Sequence, residues 1–195
     1  MALIVSPEAL RRLDDEAAFL EFCARHSEWR LERDPAGALV IMPPIGGLGG
    51  HREVRPLAAL DRWNDEAGQP GLVFSSQTMF RLPGGGWRSP DAAWVSRERW
   101  NALTRPQQIG FPPIAPDFLI EILSPSDRRS DLLAKMDEYM RSGVRLAWLL
   151  DPEETRTARV YRAGRPPEEG PLSRPLSGED VLPGFAFRWE EEPIS

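Results

Sequence analysis

The chain predicts a mixed α/β fold: a central mixed β-sheet flanked by helices, preceded by an N-terminal helix and a β-hairpin. Three features carry this. Residues 117–123 form an apolar run in which Phe118, Ile120 and Ile122 alternate with Leu119, Glu121 and Leu123. In a strand the two sets point to opposite faces, and two apolar faces suit a central strand covered on both sides. Next, Leu132, Leu133, Met136, Tyr139 and Met140 recur at helical spacing. Residues 145–150 then return as a second apolar strand, ending at Asp151-Pro152. Strand, helix and strand in this length describe a crossover between parallel neighbours.

Taken in order, Ser6 and Pro7 read as the N-cap and first position of a helix, whose stripe Leu10, Leu13, Ala17, Leu20 and Ala24 ends near His26. Residues 29–33 and 38–42, joined by Asp34-Pro35-Ala36-Gly37, read as a hairpin. The glycines of residues 43–50 match neither a Walker nor a dinucleotide-binding pattern, so this segment is expected to be a linker or mouth loop. Residues 51–66 read as a second helix burying Val54, Leu57, Ala58 and Trp63. Pro56 fits best in a first turn, which moves the expected start to about Arg55. Short strands are expected at 71–76, 78–82 and 91–95, a short helix from Ser96, and a proline-rich connection at 104–116. In the central helix Ser126 is the expected N-cap, Asp127 adds favourable negative charge, and Gly143 stands where a C-terminal cap belongs. Residues 158–161 suggest a further strand, 163–175 an exposed loop, and 182–187 a closing edge strand. No internal repeat or inter-domain linker interrupts the 195 residues. That length fits one domain: helix and hairpin (1–48), core (49–162), and C-terminal loop and edge strand (163–195).

Composition narrows the function classes. Cys23 is the only cysteine, which excludes an internal disulfide framework and a multi-cysteine zinc site. No run of about 18 apolar residues suggests a membrane span, and the N-terminus lacks a secretory pattern, so a cytoplasmic location is expected. The net charge of −6 argues against a nonspecific clamp on a nucleic-acid backbone, while leaving room for a local basic cleft or a metal-bridged phosphate.

Glu121 is the misfit that suggests chemistry. A carboxylate between two core leucines must be paired, protonated or bound to a metal. Lys135 stands at the border of the helix's apolar stripe, from which it can lean toward the sheet, and it is the only lysine among 24 basic residues. A lysine offers what arginine does not, a compact ammonium whose pKa can shift. Asp91 follows Pro90 at the mouth of a strand. Two carboxylates and a lysine suit metal-assisted phosphodiester hydrolysis: the acids hold Mg²⁺, with Mn²⁺ as a substitute, and the lysine positions water and stabilises developing charge. Plainer roles stand beside these. As lesser alternatives, Glu121 could pair with a core arginine, Asp91 could cap a turn after Pro90, and Asp131 and Lys135 could make an ordinary i,i+4 ion pair. Arg128, Arg129, Arg141 and Arg145 suit phosphate contacts or a solvated face, and Trp94, Trp100 and Trp148 suit the core.

Four stretches carry a family resemblance: Ser89-Pro90-Asp91-Ala92-Ala93-Trp94-Val95; Phe118-Leu119-Ile120-Glu121-Ile122-Leu123-Ser124-Pro125-Ser126-Asp127; Asp131-Leu132-Leu133-Ala134-Lys135-Met136 with Tyr139; and Gly143-Val144-Arg145-Leu146-Ala147-Trp148-Leu149-Leu150-Asp151-Pro152. They resemble the Uma-type restriction endonuclease family of bacteria, a branch of the PD-(D/E)xK restriction-endonuclease-like superfamily. The resemblance covers most of the chain. It implies a restriction-endonuclease-like mixed sheet, Mg²⁺ dependence and nuclease chemistry on nucleic acid, DNA first. Its motif falls on Asp91 and Glu121 as metal-holding catalytic acids. The superfamily's lysine usually follows the glutamate by two residues, a place held here by Leu123; in this branch it moves to the next helix and falls on Lys135. The family histidine falls on His51, carried over only as a site-lining residue. A homodimer is expected by analogy alone. Two other functions fit the same residues, namely a nuclease-fold module that binds nucleic acid or protein without cleaving it, and a metal-dependent hydrolase of a small phosphoester.

Overall fold

The computed structural model describes residues 3–5, 16–27, 29–125 and 127–190. The expected cap at Ser6 and the residues Pro7, Leu10, Leu13 and Ser126 lie outside them. The central sheet has six strands in the order β11-β10-β9-β8-β7-β4: β4 (Gly71–Ser75), β7 (Ala92–Ser96), β8 (Phe118–Ile122), β9 (Leu146–Asp151), β10 (Thr157–Arg162) and β11 (Glu168–Pro171). β8 and β9 run parallel, with Phe118 opposite Leu146 and Ile122 opposite Leu150. The other pairs in this sheet are antiparallel.

Strand alternation builds two cores from one sheet. Phe118, Ile120, Leu146, Trp148 and Leu150 face one side, where they meet Leu60 of helix α2 (Gly47–Glu66) and the C-terminal Phe185 and Phe187. Phe185 lies 5.7 Å from Trp148 with the rings nearly parallel. Leu119, Ala147 and Leu149 face the other side and meet Met136 and Tyr139 of helix α5 (Arg129–Arg141). The Leu119 face continues one step further to Glu121, which is therefore aimed at α5.

Helix α5 begins three residues later than the expected cap. Its N-cap is Arg128, which supplies no side-chain cap bond. Asp127 instead closes the preceding turn, accepting from the Ser124 amide and hydroxyl at 3.0 and 2.8 Å. The far end is as expected. Gly143 has φ +99°, and the Gly143 and Val144 amides donate to the Met140 and Tyr139 carbonyls, the paired bonds of a Schellman cap.

A second sheet, in the order β1-β3-β2-β6-β5, is assembled from β1 (Leu3–Val5), β2 (Arg30–Arg33), β3 (Leu39–Met42), β5 (Phe80–Arg81) and β6 (Trp87–Arg88). β2 and β3 are the expected hairpin. With helix α1 (Glu16–Arg25) they enclose a third core of Phe19, Leu31, Leu39, Met79 and Trp87.

Helix α2 differs from the sequence expectation. It starts at Gly47, inside the expected loop, and runs through Pro56. Its inward stripe is Arg52, Pro56, Leu60 and Asn64 at strict four-residue spacing, whereas Val54 and Ala58 are exposed. Packing along this stripe overrides proline's poor fit in a helix interior. Arg52 pairs with Glu153 at 2.5 Å, and Asn64 accepts from the Trp94 indole at 2.9 Å. The residues read as a C-terminal loop contain β11, and β13 (Ala186–Phe187) pairs with β12 (Leu176–Ser177) in a separate two-stranded sheet. The proline-rich connection contains α4 (Arg105–Ile109), following α3 (Arg97–Asn101) capped by Ser96. Trp94 and Trp148 are buried and Trp100 is half-buried.

Candidate active site

Asp91 immediately precedes β7, and β7 pairs with β8 so that Ala92 opposes Ile120. One residue further along this register, Asp91 falls across from Glu121. The Asp91 Oδ2 accepts a 2.8 Å bond from the Ile122 amide, which fixes its carboxylate at the end of β8. Glu121 is held from the opposite side by α5. Lys135 and Tyr139, one helical turn apart, both reach it. The Lys135 Nζ lies 2.8 Å from Glu121 Oε1, and the Tyr139 hydroxyl donates to the same oxygen at 2.8 Å. The structure thus brings Asp91, Glu121 and Lys135 together. The ammonium of Lys135 goes to the sheet and not to Asp131, the partner that helical spacing alone offers.

The second sheet supplies residues that sequence reasoning missed. Glu32 on β2 accepts from Lys135 at 2.8 Å and from the Ser89 amide at 2.8 Å. Arg88 on β6 lies between Glu32, at 3.1 Å, and Glu138 of α5, at 2.6 Å. Gly86 allows this approach, since a Cβ there would stand 1.7 Å from the Glu138 carboxylate. Arg30, also on β2, faces Asp91 at 3.5 Å and Glu53 of α2 at 3.7 Å. Glu53 in turn accepts from the Ser76 hydroxyl. The signal available for Glu32 and Arg88 was charge inside short strand segments otherwise destined for burial.

His51 is exposed on α2. It takes part in none of the hydrogen bonds or ion pairs described around Asp91 and Glu121, whereas Glu53, two residues on, does. Of the arginines considered for phosphate contact, Arg129 bonds Asp151 at 2.7 Å and Glu169 at 3.1 Å, and Arg145 lies near Asp117 and Asp180. Arg141 donates to the Asp137 carbonyl, and Arg128 is exposed.

The cluster carries more acid than base. Among the described residues, five carboxylates (Glu32, Glu53, Asp91, Glu121 and Glu138) face three cations (Arg30, Arg88 and Lys135), an excess of two negative charges when all are ionised. Burial and the nearby Glu53 raise the Asp91 pKa to about 6. Burial raises Glu121 to about 7; Lys135 opposes this, while Asp91 and Glu32 add to it. Glu32, although it shares Lys135, is held below the usual carboxylate range. Burial pushes it up, but Lys135, Arg88 and the Ser89 amide together outweigh that push. Burial disfavours the Lys135 ammonium, yet Glu121 and Glu32 more than compensate and bring it to about 12. The acid excess is therefore concentrated on Asp91 and Glu121.

Their donor set fits a hard divalent cation. Among the described residues no group of three or more His, Cys, Asp or Glu is arranged to hold a metal. Two carboxylates suffice for Mg²⁺, which keeps several waters and takes its remaining ligands from substrate phosphate.

The chain is thus built on a mixed sheet with helices on both faces and with Asp91 and Glu121 at adjacent strand ends. Its fold is similar to that in a solved structure described as "a putative nuclease belonging to DUF820" from Anabaena variabilis. The TM-score is 0.67 at 19% identity, over 78% of this chain and 83% of that one. A family model described as "Uma2: Putative restriction endonuclease" matches residues 16–190, and the chain belongs to the Uma2 family. A comparison with curated proteins finds no match. No helix among the described residues is long and apolar enough to cross a membrane.

Proposed function

We propose that this chain is a Mg²⁺-dependent endonuclease acting on DNA, with Asp91, Glu121 and Lys135 as its catalytic residues. The observation that carries the reading is the acid pair Asp91 and Glu121 at adjacent strand ends, in a cluster with more acid than base, with the Lys135 ammonium on Glu121. Asp91 and Glu121 would hold the metal, which when bound neutralises charge on the scissile phosphate and lowers the pKa of water. The Ile122 amide fixes the direction of Asp91, and Tyr139 fixes that of Glu121. Lys135, cationic and tethered by Glu32, orients the attacking water and stabilises charge that builds on the phosphoryl oxygens. Water forms the new P–O bond as the bond to the leaving sugar oxygen breaks; the proton the water gives up passes to solvent, and the leaving oxygen takes one from solvent, so that one water is added overall.

The test is calorimetric Mg²⁺ or Mn²⁺ titration of wild type and Glu121→Ala, with plasmid and oligonucleotide cleavage assayed on the same samples. Binding and cleavage by wild type, both lost in the variant, are expected. Wild-type protein that binds no metal would rule the metallonuclease out. A second reading, a nuclease-fold module that binds nucleic acid or protein without cleaving it, is favoured by the engagement of Lys135 with two carboxylates at once. It predicts metal or nucleic-acid binding with no cleavage.

A further inference from the structure

A groove of about 510 Å³ runs beside the acid cluster, between α1, β2 and the turn after β4. Trp29, Arg30, Gln77, Ser89 and Phe111 are among its lining residues. It is continuous with the candidate site through two of them. The Ser89 amide bonds Glu32, and the Arg30 guanidinium faces Asp91. None of the twelve described residues that line it is acidic and one is an arginine, in a chain whose net charge is −6.

Two side chains in the groove are incompletely used. Trp29 is 43% exposed. One indole face is stacked on His26, 4.4 Å away and nearly parallel, which holds the ring steady while leaving surface open. A large exposed aromatic in a concave site with both apolar and polar lining suits a stacking platform. Arg30 reaches its two carboxylates only at 3.5 and 3.7 Å, so its terminal nitrogens are loosely engaged. A guanidinium with donors to spare, between a stacking surface and a candidate metal site, suits a phosphate oxygen.

We infer that the groove receives an unpaired nucleobase flanking the scissile phosphate, stacked on Trp29, with Arg30 contacting the phosphate between base and metal site. The inference rests on the nuclease reading and deepens it: the preferred substrate is single-stranded, or a duplex with a frayed or unpaired segment. A fully paired duplex keeps its bases inside the stack and offers none to the groove.

The test is fluorescence anisotropy with a fluorescein-labelled thymidine 15-mer and a blunt 20-base-pair duplex, with Ca²⁺ replacing Mg²⁺. Wild type is expected to bind the 15-mer more tightly. Trp29→Ala should weaken that binding by about five-fold or more, the range for loss of one stacked base. Trp29→Phe should retain most of it. Gln77→Glu, which puts a carboxylate into the groove at an exposed position, should weaken it independently. Mg²⁺ titrations of Trp29→Ala should match wild type. Equal 15-mer binding by wild type, Trp29→Ala and Gln77→Glu overturns the groove assignment, as does a preference for the duplex. Both results leave the nuclease reading standing, because that reading is judged by metal binding and cleavage in wild type and Glu121→Ala. Wild type that binds neither nucleic acid likewise overturns the groove assignment, and the nuclease reading is again decided by metal binding and cleavage.

Discussion

The Lys135 ammonium and the Glu32 carboxylate meet at 2.8 Å across 103 residues of chain. They join helix α5, packed on the central sheet, to β2 of the second sheet. Lys135 also holds Glu121 at the same distance, so one lysine spans the two sheets at the point where the acids gather. Its side chain is 12% exposed, and the slot suits a compact ammonium better than a planar guanidinium. Lys135→Arg should therefore keep metal binding within a few-fold while lowering cleavage by about 100- to 1000-fold, the range for losing one transition-state charge contact. Single-turnover rates beside Mg²⁺ titrations of the same variant check this.

Arg88 should matter to stability more than to chemistry. It compensates Glu32 and Glu138, both buried. Removing one partner of a buried ion pair typically destabilises by about 3–5 kcal/mol, because the remaining charge stays desolvated. Arg88→Met should lose stability of that order in urea unfolding at pH 7. A loss below about 1 kcal/mol would mean that Lys135 alone can compensate Glu32.

Stability of the metal-free protein should depend on the acid pair in a defined direction. The folded pKa values of Asp91, about 6, and Glu121, about 7, lie above the ordinary 3.8 and 4.5. The stabilisation from keeping these groups protonated is complete below about pH 4 and is lost as pH rises through 6 and 7. Glu121→Gln holds that position neutral at every pH. In EDTA its stability relative to wild type should rise by about 3 kcal/mol between pH 4 and 8. A pH-independent difference between the two urea curves would show that burial does not disfavour the Glu121 carboxylate.

Metal affinity should follow the same groups with the opposite trend. Protons compete with Mg²⁺ for Asp91 and Glu121, so affinity should climb as pH rises through 6 to 7 and level off above. At pH 6, calorimetry in buffers of different ionisation enthalpy should detect proton release on binding. Tyr139→Phe, which removes one hydrogen bond from Glu121, should shift this titration to higher pH and destabilise the fold by about 1 kcal/mol.

The central unit and the meeting of Glu121 with Lys135 were legible because their signals are local, while Asp91 was singled out by its place at a strand mouth and by resemblance. Alternation in residues 117–123 defines two faces, and the odd face carries Glu121. Helical spacing then puts Lys135 within reach of that face. Glu32, Arg88 and Glu138 were not legible. Each is an ordinary charged residue in its own segment, and only the docking of the second sheet against α5 buries them together. α2 was misread because proline propensity was weighed without the four-residue stripe of Arg52, Pro56, Leu60 and Asn64, whose packing decides the helix start. His51 was placed by resemblance. The neighbour that joins the ionic network is Glu53, which lies nearly the same distance along the chain but on a different face of the helix.

Because Lys135 is the only lysine, the chain carries a built-in spectroscopic address. Lysine labelled with ¹⁵N at its side-chain nitrogen, supplied during expression, enters at one position, beside Glu121 and Glu32. A single resonance then reports whether that ammonium stays clamped between two carboxylates or is released when Mg²⁺ or an oligonucleotide arrives, with no assignment needed and no mutation introduced.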